Sequence, residues 1–257
     1  MTDVRILFEG GGVLVVDKPP GMLVIPGREG GPSLRELLET QRRQKVFVVH
    51  RLDRDTSGAL VFALDAAVHR ALSGAFETGK VRKRYVALVE GRVEAPRMVD
   101  APLVAARKGR MRVARPGEAD AKASRTRVRP VETFERASLV EAEPLTGRTH
   151  QIRVHLLSLG HPLLVDHQYG REAPLTEKDL GGEGDAVVIA RTPLHAARVE
   201  WPALPGVEAR AVDAPMPGDM ARARELLRFM VVQMSGRFAF MGAPLEGEDG
   251  KTEEEPK

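Results

Sequence analysis

Apolar residues in this chain fall into short unbroken runs divided by charged turns, interleaved with stretches in which they recur every three or four residues. Val13-Leu14-Val15-Val16 reads as a short buried strand. Asp17-Lys18-Pro19-Pro20-Gly21 ends it, since two prolines stop regular pairing and the glycine permits a tight turn, so Lys18 is expected on a stiff loop. Ser33 with Glu36 forms a capping box for a helix carrying Leu34, Leu37 and Leu38 on one side and ending near Gln44. Val46 to Val49 is strand-like, and the alternation Phe47, Val49, Arg51, Asp53 puts Arg51 and Asp53 on one face if the strand persists. Ala59 to Ala63 reads as a second buried strand. A helix follows from Ala66 to Glu77, striped by Val68, Leu72 and Phe76 and ended by Gly79. Lys80 to Gly91 is then a strand entered through a basic cluster, with Tyr85 where charge meets the apolar run. Arg125, Arg127 and Arg129 mark one face of another strand, and Phe134 to Pro144 is the next. From Thr146 the chain opens a helix whose Ile152, Leu156 and Leu159 face the core, ending at Gly160. Near the carboxyl end, Arg222 to Val231 is helical and further apolar residues run to Met241.

Composition narrows the class. With 257 residues, 42% of them hydrophobic and 29% charged, the chain can build a substantial core. No stretch of about 18 apolar residues and no secretory pattern occurs, so the cytoplasm is the expected compartment and no membrane partner is expected. The absence of cysteine removes disulfides, thiolate nucleophiles and most structural zinc sites. Histidines 150, 155, 161 and 167 are badly spaced for one helical face, so no metal is expected. A net charge of +3 understates the asymmetry: the stretch from Glu246 to Lys257 is strongly acidic, has no apolar residue and is expected to be disordered. The remainder is correspondingly basic. Arg107, Lys108, Arg110, Arg112, Arg115, Lys122, Arg125, Arg127 and Arg129 face only Glu118 and Asp120 in that region, which suits either a solvated hairpin or a phosphate backbone.

The candidate chemistry lies in His50-Arg51-Leu52-Asp53-Arg54-Asp55-Thr56-Ser57-Gly58. A carboxylate among basic side chains is suited to be a nucleophile or an electrostatic anchor. Two carboxylates compete for that role. Asp53 sits in the connection between two core elements, while Asp55 suits a turn with Thr56, Ser57 and Gly58. A salt-bridged turn without chemistry is the alternative reading. Farther on, Arg153 lies three residues after His150 and four after Thr149, so these groups can share one face at a helix N-terminal end.

Five segments in order now resemble the RluA family of RNA pseudouridine synthases, over about Ile6 to Met220. They are Asp17-Lys18-Pro19-Pro20-Gly21, His50 to Gly58, Lys83-Arg84-Tyr85, Thr146-Gly147-Arg148-Thr149-His150-Gln151-Ile152-Arg153-Val154-His155 and Thr192-Pro193-Leu194-His195-Ala196. The resemblance implies an α+β fold with a mixed, largely antiparallel central sheet crossed by an RNA cleft. It also implies cofactor-free isomerisation of a uridine in ribosomal or transfer RNA: uracil leaves its ribose at N1, turns, and is rejoined to C1′ through C5. On that resemblance Asp53 is the nucleophile and Arg153 its basic partner. Tyr85 packs on the uracil and is a candidate for the deprotonation, Leu194 walls the base pocket, and Arg51 lies near the flipped nucleotide. Arg54, Thr56, Arg148, His150 and Gln151, from the same segments, are expected to contact substrate. A base inside a stem must be flipped out, which agrees with this supply of basic side chains. The expected organisation is a catalytic domain over 1–218, a helix-and-strand extension over 219–244 packed on it, and an acidic tail over 245–257, acting as a monomer. Members often carry a glycine before the aspartate of the segment after the helix, where this chain has Val165 before Asp166, a change expected to touch none of the catalytic groups. The few residues before Ile6 leave no room for the S4 RNA-binding domain of many relatives, so the catalytic domain is expected to find its RNA unaided. A non-catalytic RNA-binding protein of the same fold is the competing reading.

Overall fold

In the computed structural model, which describes residues 4–27 and 31–241, the apolar runs become strands of one mixed sheet. In chain order the elements are β1 (Ile6–Gly10), β2 (Val13–Lys18), α1 (Leu34–Arg42), β3 (Phe47–Val48), β4 (Ser57–Ala63), α2 (Ala66–Glu77), β5 (Arg82–Glu90), β6 (Arg97–Asp100), β7 (Leu103–Ala105), β8 (Met111–Val113), β9 (Arg125–Thr133), β10 (Ala137–Pro144), α3 (Gln151–Ser158), β11 (Leu175–Thr176), β12 (Val187–Ile189), β13 (Leu194–Trp201), β14 (Arg210–Asp213) and α4 (Gly218–Met241). The sheet order is β1-β2-β4-β13-β5-β10-β9-β6, with β14 beside β13 and β3 beside β4. Its neighbours are antiparallel except β13 and β4, which run parallel through His195 opposite Ser57 and Ala196 opposite Gly58. The α+β class and the largely antiparallel sheet are thus as the resemblance implies.

Central strands are apolar throughout because both faces of the sheet are covered. Leu14, Val16, Leu60 and Phe62 pack on one side with Leu34 and Leu38 of α1 and Ile152 and Leu156 of α3. Val13, Val15, Val61 and Ala63 pack on the other with Val68 and Leu72 of α2 and with Trp201. The Ser33–Glu36 capping box closes both ways, and α1 ends at Arg43 in the left-handed conformation. For α2 the cap is Asp65, whose carboxylate accepts from the amides of Ala67 and Val68.

Strand β3 does not reach Asp53. It pairs with Ala63 and Phe62 only, and β13 takes over the same edge of β4 at Ser57 and Gly58, so the chain from Val49 must leave the sheet. Between the two partners the buried amide of Val61, which has no strand partner on that edge, donates instead to His50 Nε2 at 3.1 Å. That ring stacks on Phe76 at 4.3 Å, and burial together with the Lys83 charge pushes its pKa down to about 3, which keeps it a neutral acceptor. Residues 49–56 are thereby released as a rigidly anchored turn at the mouth of the parallel pair.

Gly58 makes that pairing possible. Its φ is +110°, and a Cβ there would lie 2.4 Å from the Ala196 carbonyl oxygen. Gly58→Ala combines backbone strain with a clash that no flexible side chain can relieve, and is expected to cost about 2–4 kcal/mol, read as a lowered denaturant midpoint with an unchanged slope.

The carboxyl-terminal segment departs from expectation. One continuous helix, α4, runs from Gly218 to Met241, where the sequence suggests a helix followed by a strand. After Gly218 at its start, Gly236 is the one glycine in this span and no proline interrupts it, too little to end a helix. Met220, Ala223, Leu226 and Leu227 pack against Leu88, Leu139 and Val165, and Arg224 and Arg228 both pair with Glu132 of β9. The expected acidic tail lies outside the described residues.

Candidate active site

Asp53 stands on the 49–56 turn with its side chain 31% exposed, and three anchors hold that turn. The Thr56 amide donates to the Asp53 carbonyl at 3.2 Å. Lys18 Nζ donates to the carbonyls of Arg54 (2.9 Å) and Pro19 (2.8 Å). Arg191 Nη1 donates to the Asp55 carbonyl at 3.2 Å while pairing with Asp219 of α4 at 2.7 Å. Lys18 is therefore fully buried at the end of β2, not presented on a loop as its setting beside the prolines suggests. Burial pushes its pKa down to about 7 against the opposing pull of Asp55 and Asp53.

Arg153 reaches Asp53 from α3, with Nη1 donating to Oδ2 at 3.2 Å. Its other edge is occupied: Nε and Nη2 donate to the two oxygens of Asp166 at 2.8 and 2.7 Å, and Nη2 also reaches Gln168 Oε1 at 3.1 Å. A bidentate pair of this kind fixes the guanidinium plane, so Asp166 aims the remaining N–H at Asp53. Asp166, the residue after Val165, thus holds Arg153, while Val165 itself packs in the core with Leu88, Leu139 and Met220. His150 is the second group beside Asp53, its Nε2 being 4.0 Å from Oδ2. Both contacts engage Oδ2, and Oδ1 has no hydrogen-bond partner among the described residues.

Tyr85 of β5 is buried beside this carboxylate, and burial together with the Asp53 charge pushes its phenol well above the usual range. The ring is therefore protonated and apolar in function, which favours packing over service as a phenolate base. Leu194, opposite Ala87 at the start of β13, is also buried and lines the same cleft. Lys83 shares the Tyr85 side of β5 by the two-residue period, with its ammonium 5.7 Å from the Phe76 ring centroid. It has no acidic partner among the described residues, and burial lowers its pKa.

The remaining expected contacts divide. Arg51, Arg54 and Arg148 are exposed on the walls of a cleft of about 1770 Å³ that also contains Asp53, Tyr85 and Arg153. Thr56 lines it as well, but its hydroxyl is buried and lacks a hydrogen-bond partner among the described residues. Gln151 also lines the cleft, but it is buried and its amide is committed to the scaffold: its Oε1 accepts from Thr146 and the Arg148 amide, and its Nε2 donates to the Arg125 carbonyl and to Thr126. His155 and His161 are likewise committed to the scaffold, at Thr126 and Ala101 for the first and at the Glu90 carbonyl for the second. Gln168 and Tyr169 escape sequence reasoning, and so does the role of Asp166. For Asp166 a signal exists: it is an acid ending the apolar run Leu163-Leu164-Val165, much as Asp53 follows its own.

The basic stretch also divides. Arg125, Arg127 and Arg129 on β9 pair with Asp100, Glu143 and Glu141 at 3.2, 2.7 and 2.7 Å, and Arg112 pairs with Glu118. Arg107, Lys108 and Arg110, in the link between β7 and β8, are exposed and have no acidic partner among the described residues.

A cleft of this volume exceeds what a small metabolite fills and suits a length of polynucleotide. Comparisons with known proteins agree with that scale. A family model described as RNA pseudouridylate synthase matches residues 12–158. The ribosomal large subunit pseudouridine synthase D of Nitrosomonas europaea is 37% identical over 234 residues, 88% of this chain and 65% of that protein. The corresponding synthase C of Yersinia pestis is 37% identical over 233 residues, 87% of this chain and 69% of that protein. Among solved structures, human RNA pseudouridylate synthase domain containing 4 superposes with a TM-score of 0.70 at 29% identity, covering 87% of this chain and 93% of that one. The chain belongs to the RluA-like family of RNA pseudouridine synthases, isomerases that turn uridine in RNA into pseudouridine.

Proposed function

We propose that this protein isomerises a uridine in a stem-loop of ribosomal or transfer RNA, with Asp53 as the nucleophile. The observation that carries this reading is a carboxylate held on Oδ2 by Arg153 and open on Oδ1, beside the buried ring of Tyr85, in a cleft rimmed by arginines. The target base is flipped into the cleft and packs between Tyr85 and Leu194, while Arg51 occupies the space it leaves. Asp53 attacks C1′ as the bond from C1′ to N1 breaks, uracil turns, and C5 bonds to C1′ as the Asp53–C1′ bond breaks and frees the carboxylate. The C5 proton is lost and N1 gains one, so no atom is added and no cofactor is needed. Asp53, Tyr85 and Arg153 all come from one chain, so a monomer suffices.

The direct test is to map pseudouridines in total cellular RNA with and without the gene, then to restore the missing one on a short transcript with purified protein. Tight RNA binding with no site lost and no transcript modified would favour the non-catalytic alternative.

RNA recognition gives a second measurable outcome. Neutralising Arg107, Lys108 and Arg110 together is expected to lower the slope of log affinity against log salt by about 0.7–0.9 for each phosphate that is no longer neutralised. Neutralising Arg125, Arg127 and Arg129 should change it far less, since their charges are already matched by acids. An unchanged slope in the first variant would place the hairpin off the RNA path.

A further inference from the structure

Tyr169 belongs to none of the family segments, yet it touches both the basic hairpin and the group beside the nucleophile. Its hydroxyl accepts from the Met111 backbone amide at 2.7 Å, where β8 begins immediately after Arg110. The same oxygen lies 2.8 Å from His150 Nδ1, with the two rings edge to face at 5.5 Å. The other face of this arrangement carries Arg153, whose guanidinium sits 4.8 Å from the Tyr169 centroid, and Arg110 lies 5.7 Å from it. His150 itself is held at a left-handed φ of +53° as the cap of α3, so its ring has a fixed origin.

The hydrogen-bond network favours one placement of the protons. Since the Met111 amide donates to Tyr169, the phenol's own proton is free for His150 Nδ1, which then accepts. Burial lowers the His150 pKa in spite of Asp53, so the ring is neutral and its one proton belongs on Nε2. That nitrogen faces Asp53 Oδ2 at 4.0 Å, where an N–H is attracted and a lone pair would be repelled. Both ends of the imidazole therefore select the same tautomer.

We propose that Tyr169 is a positioning residue that joins the basic hairpin to the nucleophile: clamped by the Met111 amide, it holds His150 as the Nε2–H tautomer aimed at Asp53. With Arg153 this supplies a second donor directed at Oδ2, so Oδ1 is left to attack. Arg107, Lys108 and Arg110 stand directly before Met111, so the hairpin that offers these charges also carries the amide that anchors the phenol. The catalytic part of the inference rests on the function proposed above.

The tautomer is measured without RNA or turnover, by long-range proton–nitrogen correlation on protein labelled with ¹⁵N-histidine, with His150→Gln giving the assignment. Wild type is expected to show one Nε2–H ring, and Tyr169→Phe, which keeps the aromatic face under Arg153, to show a ring averaged toward both tautomers. In single-turnover assays at saturating RNA, Tyr169→Phe should lose about tenfold in rate, the order of one lost positioning hydrogen bond, with RNA affinity unchanged. His150→Gln keeps an N–H near the Nε2 position and should retain more rate than His150→Ala. The proposal is overturned if Tyr169→Phe keeps the wild-type tautomer and rate, or loses affinity in step with rate. Should wild type make no pseudouridine at all, the functional reading fails, and the tautomer measurement still decides whether Tyr169 orients His150.

Discussion

Asp53→Asn is expected to abolish pseudouridine formation, by about four orders of magnitude or more in single-turnover rate, while RNA affinity stays within a few-fold of wild type. The substitution is nearly isosteric, and the amide oxygen can still accept from Arg153 Nη1, now 3.2 Å from Oδ2, so the turn and its three anchors persist. What disappears is the anionic Oδ1. RNA digested to nucleosides and separated by chromatography gives the rate, and filter binding gives the affinity. Near-normal isomerisation by Asp53→Asn would remove Asp53 as nucleophile and turn attention to Asp55, the other acid on this turn.

Elements governed by local chemistry are legible in the sequence, and those governed by competition between distant segments are not. The bounds of α2 follow from a stripe at helical spacing closed by Gly79, and α1 from its capping box, because both signals are complete within about a dozen residues. The end of β3 depends on β13, some 146 residues later, claiming the same edge of β4, and no local pattern encodes that. The burial of Lys18 is hidden for a similar reason: the prolines beside it do make a turn, but the 53–56 turn folds over the ammonium and covers it. In the site, the family segments point to Asp53, Tyr85 and Arg153, and the structure brings all three to one cleft. Gln151 lies in such a segment too, yet its four hydrogen bonds are all to the scaffold, so membership of a motif does not separate reacting groups from supporting ones. Asp166 is read in the sequence only as the aspartate after Val165, and Tyr169 lies outside the five segments; what each does exists only through contacts with Arg153 and His150.

Arg153→Lys is expected to slow the chemical step by about 10²- to 10³-fold with little change in RNA affinity, because one ammonium cannot hold Asp166 on two oxygens and reach Asp53 as well. Lysine is the informative replacement. Arg153→Ala would strand Asp166, which is only 1% exposed, as a buried carboxylate without its cation, at a cost of about 3–5 kcal/mol that would confuse catalysis with folding. The pH dependence of stability reports the same pair. Burial opposes the charge on Asp166, but the Arg153 guanidinium and the amides of Gln168 and Tyr169 outweigh it and hold the carboxyl below its ordinary value. A depressed carboxyl contributes stability that is full above about pH 4, the unfolded value, and lost as pH falls through the folded one. Wild type should therefore lose this contribution on acidification, and Asp166→Asn should flatten that part of the profile while lowering stability at neutral pH. In the lysine variant, a rate loss matched by an equal loss of RNA affinity would identify Arg153 as a phosphate contact instead of the partner that orients Asp53.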